Sequence, residues 1–262
     1  MNTTHDILDS EKMTSGHTPL NFEMSQSETL LTRPISPGIY LIGEPENYTS
    51  SEIEKFLTIL QELLIEGVAL FQIRQRDRNL IKDGPYLEVI QKAQKLCQNT
   101  DTPFIINDRL DLALITKADG LHLGASDIPY LEARRLLPNK IIGLSNHHGE
   151  DVERHRHFDA DYFSLGPIHA TTSKLTPDPV MGIRQFERLL PLFNGPVVGI
   201  GGLTPENLGA LCEARVDFAG VISGIWKNPD PLNSLRLYKK IFSEHHRKKS
   251  WGVSEIWPRI IH

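Results

Sequence analysis

From Gly38 onward the chain alternates eight times between a short continuous run of apolar, largely β-branched residues and a longer stretch with helical spacing, a pattern that few folds absorb. The runs are Ile39–Ile42, Val68–Ile73, Phe104–Ile106, Gly120–Leu123, Ile141–Ser145, Tyr162–Leu165, Val197–Ile200 and Gly220–Ser223. Continuous apolarity, rather than alternation, is what a strand buried on both faces of a parallel sheet requires. Between the runs, Ser51–Glu66, Tyr86–Cys97, Leu131–Leu137, Phe186–Phe193 and Pro205–Ala214 carry the stripe of a helix laid on a sheet. Ser50 or Ser51 is expected to cap the first helix, and Thr204-Pro205-Glu206 sets a cap residue before a proline at the first helical position. Eight such units joined by right-handed crossovers close into a (β/α)8 TIM barrel, with an open doubly wound sheet as the alternative.

The barrel reading divides the 262 residues into a polar N-terminal tail (1–34), the barrel (35–244) and a basic C-terminal extension (245–262) bearing Trp251 and Trp257. The first segment is rich in Thr, Ser, Glu and Asn without a sustained period, so it buries too little apolar surface to offset its ordering entropy and is expected to be mobile. It also lacks the basic start and apolar centre of a signal peptide. No stretch approaches the roughly 20 apolar residues that cross a bilayer, so a cytoplasmic protein without membrane contact is expected. A net charge of −5 gives no electrostatic reason for nucleic acid as a partner, which leaves a small-molecule ligand as the default. Cys97 and Cys212 lie far apart in helix-like segments, so neither a disulfide framework nor a thiolate metal site is indicated. A homo-oligomer is compatible with this composition.

In this fold, active sites form where the strands end in the C-terminal direction. After the second run, Gln72, Arg74 and Arg76 share one side of an extended segment, and two guanidiniums with an amide suit a diphosphate. The third run leads into Asn107-Asp108-Arg109, and Asp127 follows the fourth. Two carboxylates on neighbouring strand ends suit magnesium completed by waters and substrate phosphates; helix capping is the plainer alternative. Ser145 ends the fifth run and His147 follows it, whereas His155 and His157 read as solvated helix residues. Thr171-Thr172-Ser173-Lys174, after the sixth run, offers hydroxyls and a cation to an anionic group. Gly201-Gly202 and Ile222-Ser223-Gly224 close the seventh and eighth runs, the habitual phosphate site of this barrel.

In order, these segments resemble the thiamine phosphate synthase and thiazole tautomerase superfamily from about Gly38 to Trp226. The carrying motifs are Gln72-Ile73-Arg74-Gln75-Arg76, Asn107-Asp108-Arg109, Gly120-Leu121-His122-Leu123-Gly124 with Asp127, Gly166-Pro167 with Thr171 to Lys174, Gly201-Gly202 and Ile222-Ser223. The resemblance implies that Gln72, Arg74, Arg76, Asn107, Ser145 and Lys174 hold the diphosphate of an aminopyrimidine, with Ile73, Gln75 and Thr172 in the same binding segments. It implies Mg2+ on Asp108 and Asp127, and the phosphate of a thiazole on Thr171, Ser173, Gly202, Ile222 and Ser223. Arg74, Ser145 and Lys174 would act on the leaving group. The implied reaction expels diphosphate and joins the pyrimidine-methyl carbon to the thiazole nitrogen, giving thiamine phosphate, with no protein nucleophile.

Arg76 stands where synthases carry Lys, Ala125 where they usually carry Gln, and Ser173 where they often carry Thr. The related tautomerases often share Arg at position 76, the Ser223-Gly224-Ile225 ending and an acid–base histidine at position 147. They tend to lose the metal aspartates and the loop lysine, whereas Asp108, Asp127 and Lys174 are all here, which favours the synthase. A non-catalytic barrel that binds phosphorylated ligands is the third reading.

Overall fold

The computed structural model describes residues 35–75, 77, 79–171 and 178–246. The N-terminal 34 residues and the extension from 247 onward therefore lie outside the described residues, as do Arg76, Thr172, Ser173 and Lys174.

Eight parallel strands close into one barrel in sequence order: β1 Gly38–Gly43, β2 Leu70–Ile73, β3 Phe104–Asn107, β4 Gly120–Leu123, β5 Ile141–Asn146, β6 Tyr162–Leu165, β7 Val197–Ile200 and β8 Phe218–Val221. The outer helices are α1 Ser50–Glu66, α2 Asp83–Asn99, α3 Leu110–Thr116, α4 Tyr130–Leu136, α5 Gly149–His155, α6 Ile183–Leu189, α7 Pro205–Glu213, α8 Ser223–Trp226 and α9 Pro231–His245. The closed pairing of β8 with β1, Gly38 opposite Phe218, rules out the open sheet.

Each strand feeds two cores by the period of two. Tyr40, Leu70, Ile105, Ile141, Tyr162, Val198 and Phe218 fill the barrel interior. Ile39, Leu41, Phe71, Ile73, Phe104, Leu121 and Phe163 face the helices instead. The helices return the contact through stripes such as Phe56, Leu60, Leu63 and Leu64 of α1, each buried and each contributing roughly 1.5–3 kcal/mol.

Local chemistry sets several boundaries differently from the sequence expectation. Thr49, not Ser50 or Ser51, caps α1: its backbone is extended and its hydroxyl accepts from the Glu52 amide, which leaves both serines inside the first turn. β2 starts at Leu70 because Gly67, at φ 95°, ends α1 and Val68-Ala69 serve as the lead-in. β8 runs Phe218–Val221, two residues earlier than its apolar run suggested, because Ile222 leaves strand geometry and Ser223 opens α8. Thr204 caps α7 as expected, with Asn207 completing a capping box and Pro205 in the first turn. His155, expected in solvent, is buried: its Nδ1 lies 3.0 Å from Asn146 Oδ1 and its ring stacks on Phe158. His157 is exposed, in the turn after α5.

Candidate active site

A cavity of about 370 Å3 opens among the strand ends on the C-terminal face. That volume lies in the usual range for a small-molecule site. Tyr40, Gln72, Arg74, Asn107, Asp108, His122, Asp127, Ser145, His147, Ser164, Thr171 and Asp178 give it its polar wall, and Ile42, Pro167, Val198, Ile200 and Ile222 its apolar one.

At β2 the alternation sorts the predicted segment. Gln72 and Arg74 line the cavity, and the Arg74 amide is tied to Gly43 O at 3.0 Å, which fixes the segment beyond the strand end. Ile73 points into the layer between strands and helices and is fully buried, away from the cavity. Gln75 shares that opposite phase: it is buried and absent from the cavity wall. Both were expected in the substrate-binding segment, and the pleat places them away from the cavity lining.

Asn107 and Asp108 leave β3 into the same space, and Asp127 enters it from the loop after β4. Asp108 adopts φ 61°, with its amide donating to His122 O at 2.8 Å, so the turn is stitched to β4. Asp127 Oδ2 accepts from the Gly124 amide at 2.7 Å and pins the loop that carries it. Neither aspartate caps a helix: α3 begins after Arg109 and α4 after Pro129. Two carboxylates on one wall are the oxygen donors magnesium takes alongside water and phosphate oxygens, so the residues fit that ion. Arg109 serves the scaffold, bridging Asp83 at 2.7 Å and Asp111 at 2.6 Å.

At the end of β5, Ser145 and His147 face the cavity. His147 Nδ1 lies 2.7 Å from Gly166 O and Nε2 3.6 Å from Asp178 Oδ2. Its amide donates to Asp151 Oδ2 at 2.9 Å, so the capping carboxylate of α5 also positions this residue. Burial pushes the Asp151 carboxyl up, but hydrogen bonds from the His147 amide and from the side chain and amide of His148 outweigh it, leaving the group below its ordinary range.

The loop after β6 is fastened along β7. Ile168 N donates to Ile200 O at 2.9 Å and His169 N to Gly201 O at 3.0 Å. This close approach explains Gly201-Gly202: both have positive φ, 100° and 62°, and a Cβ would stand 2.5 Å from Pro167 Cα or 2.4 Å from Ala170 O. Thr171, Gly201 and Ile222 line the cavity. Gly202 and Ser223, expected as direct contacts, are not on its wall; Gly202 packs on the β6 loop and Ser223 is the first residue of α8.

The barrel interior adds residues that the strand-end reading missed. Gln72 Nε2 donates to Tyr40 Oη at 2.8 Å, and Tyr40 Oη lies 2.7 Å from Tyr162 Oη. His122 Nδ1 lies 2.9 Å from Tyr162 Oη, and His122 Nε2 2.9 Å from Ser145 Oγ. Burial pushes both phenols well above the ordinary tyrosine range. The signal was present: Tyr40, His122 and Tyr162 are polar groups inside otherwise apolar strand runs, in phase with Gln72 and Ser145.

The fold agrees with what the chain resembles among known proteins. It is 36% identical over 185 residues to a thiamine-phosphate synthase of Bacillus licheniformis, covering 70% of this chain and 83% of that one. It is 34% identical over 206 residues to the Lysinibacillus sphaericus enzyme of the same name, covering 78% and 94%. Its fold matches a thiamine phosphate pyrophosphorylase from Pyrococcus furiosus with a TM-score of 0.69 at 26% identity, over 79% of this chain and 96% of that one. The family model described as thiamine monophosphate synthase matches residues 39–225, a span that includes all eight strands but for the first residue of β1, and the chain belongs to that family.

Proposed function

We propose that this chain is a thiamine phosphate synthase, a magnesium-dependent transferase of the cytoplasm that condenses 4-amino-2-methyl-5-(diphosphooxymethyl)pyrimidine with 4-methyl-5-(2-phosphooxyethyl)thiazole. The observation that carries the reading is the convergence of Arg74, Asn107, Asp108, Asp127 and Ser145 on one cavity. Cationic, carboxylate and hydroxyl groups together on one wall suit a diphosphate and its counter-ion.

In the reaction the bond between the pyrimidine-methyl carbon and the diphosphate oxygen breaks, and the oxygen keeps the electron pair. The thiazole nitrogen supplies its lone pair to the same carbon, so the product carries the positive charge and no proton moves. Magnesium, when bound, would neutralise charge developing on the departing diphosphate. Asp108 and Asp127 would hold it, with Asp127 kept in place by the Gly124 amide. Arg74 would take a phosphate edge with its planar fork, and Asn107 and Ser145 would hydrogen-bond the same group. Gln72, which also lines the cavity, would help to hold the same diphosphate. Lys174 and Arg76 would add cations to the diphosphate site, and Thr172 a hydroxyl. Thr171, Ser173, Gly202, Ile222 and Ser223 would form the phosphate end of the thiazole site, of which Thr171 and Ile222 line the cavity.

The test is product formation by purified protein given both substrates. Thiamine phosphate that appears with magnesium, disappears with a chelator and is lost in Asp108→Asn supports the reading; folded protein that forms none overturns it. One observation favours thiazole tautomerisation as a second reading: His147 stands on the cavity wall with its Nε2 toward Asp178. Conversion of a thiazole tautomer without any pyrimidine diphosphate would select it.

A further inference from the structure

The buried polar chain beneath the cavity has a direction, and the direction follows from which groups can donate. We propose that Tyr40, Tyr162 and His122 are positioning residues forming a one-way hydrogen-bond chain that leaves the Ser145 hydroxyl hydrogen pointing outward as a donor to a phosphate oxygen of the ligand. This rests on the synthase reading for the ligand's identity; the direction itself does not.

The chain starts at an amide. Gln72 Nε2 can only donate, and it does so to Tyr40 Oη at 2.8 Å. Tyr40 is almost wholly buried, so its own hydrogen needs an acceptor, and Tyr162 Oη stands 2.7 Å away. Tyr162, equally buried, must pass its hydrogen onward, and His122 Nδ1 lies 2.9 Å from its oxygen. A ring nitrogen that accepts carries no hydrogen, so the proton of neutral His122 sits on Nε2. Nε2, 2.9 Å from Ser145 Oγ, then donates to that hydroxyl, whose hydrogen is left for the cavity that Ser145 lines.

Burial raises both phenols well above their ordinary range, so each keeps the hydrogen the relay needs. The reverse direction would have Tyr162 donate to Tyr40, leaving the Tyr40 hydrogen facing the Gln72 amide nitrogen, a donor. That arrangement buries an unmet hydroxyl and is disfavoured. The consequence is that the Ser145 hydroxyl hydrogen is held for the ligand, which suits an anionic oxygen.

Nitrogen NMR of the full-length protein labelled with 15N-histidine reads the direction without turnover, the His122 signals being identified by their loss in His122→Gln. Wild-type His122 is expected as the Nε2–H tautomer. An Nδ1–H tautomer or a doubly protonated ring overturns the proposal. In Tyr162→Phe the donor to Nδ1 is gone, so the tautomer preference should relax. Affinity for inorganic diphosphate with magnesium should fall about tenfold, the size expected for losing a well-set hydrogen bond to a charged group. An unchanged tautomer together with unchanged diphosphate affinity in a folded Tyr162→Phe protein also overturns it. A wild-type protein that shows the Nε2–H tautomer yet makes no thiamine phosphate supports the relay while contradicting the synthase reading, so the two failures are distinguishable.

Discussion

His122 and Tyr162 stack across Gly143, with ring centroids 5.5 Å apart and planes 12° from parallel. In the sheet register His122 is opposite Gly143 and Gly143 opposite Tyr162, so the two rings come from strands on either side of β5. They meet because the strand between them offers no side chain. A Cβ on Gly143 would lie 2.0 Å from Tyr162 Cζ, far inside van der Waals contact. Gly143→Ala is therefore predicted to cost about 1–3 kcal/mol by overpacking, read as a lowered urea midpoint. Because Tyr162 and His122 would be forced apart, activity should fall more than stability alone explains under conditions where the variant is fully folded.

Asp108 and Asp127 differ in what else they do, and their variants should separate accordingly. The Asp127 carboxylate also holds the Gly124 amide. Asp108→Asn should lower kcat/KM by roughly a hundredfold, about 2.7 kcal/mol of transition-state stabilisation, and raise the magnesium concentration needed. Asp127→Asn should show the same loss and, in addition, a lower thermal midpoint. Magnesium titrations of activity beside melting curves check both.

Gly202 tests the thiazole-phosphate end. At φ 62°, with Ala170 O 2.4 Å from where a Cβ would be, it has no room for alanine. Gly202→Ala should push the β6 and β7 loops apart and raise KM for the thiazole phosphate by about tenfold or more, a loss near 1.4 kcal/mol of binding. KM for the pyrimidine diphosphate should change less, and initial rates with each substrate varied in turn distinguish the two effects.

Asp151 supplies a pH signature. Its folded carboxyl is held below its ordinary range, so its contribution to stability is present above the unfolded value, near 3.9, and is lost as pH falls through the lower folded value. Asp151→Asn is thus predicted to be about 1–2 kcal/mol less stable than wild type at pH 7, with the difference shrinking below about pH 4. Urea unfolding across that range measures it. The same variant should weaken the placement of His147, whose amide the carboxylate accepts.

The barrel was legible because continuous apolar runs and helical stripes repeat without interruption, and a pattern repeated eight times tolerates errors of a residue or two at each boundary. Boundaries moved where one side chain or one dihedral decided them, as at Thr49, Gly67 and Ile222. Strand-end position correctly brought Gln72, Arg74, Asn107, Asp108, Asp127, Ser145, Thr171 and Ile222 to one cavity. Ile73 and Gln75 were carried along with their neighbours, although the period of two sends them to the other face. Tyr40, His122 and Tyr162 escaped because they lie within strands rather than at their ends, and only the closed register shows that they touch.

The most direct test of the account is phosphorus NMR of the protein with both phosphorylated substrates and magnesium. Inorganic diphosphate and thiamine phosphate are predicted to appear together in equal amounts, since one bond breaks for each bond formed. Loss of the pyrimidine diphosphate without thiamine phosphate, or a changed thiazole with no diphosphate released, would contradict it.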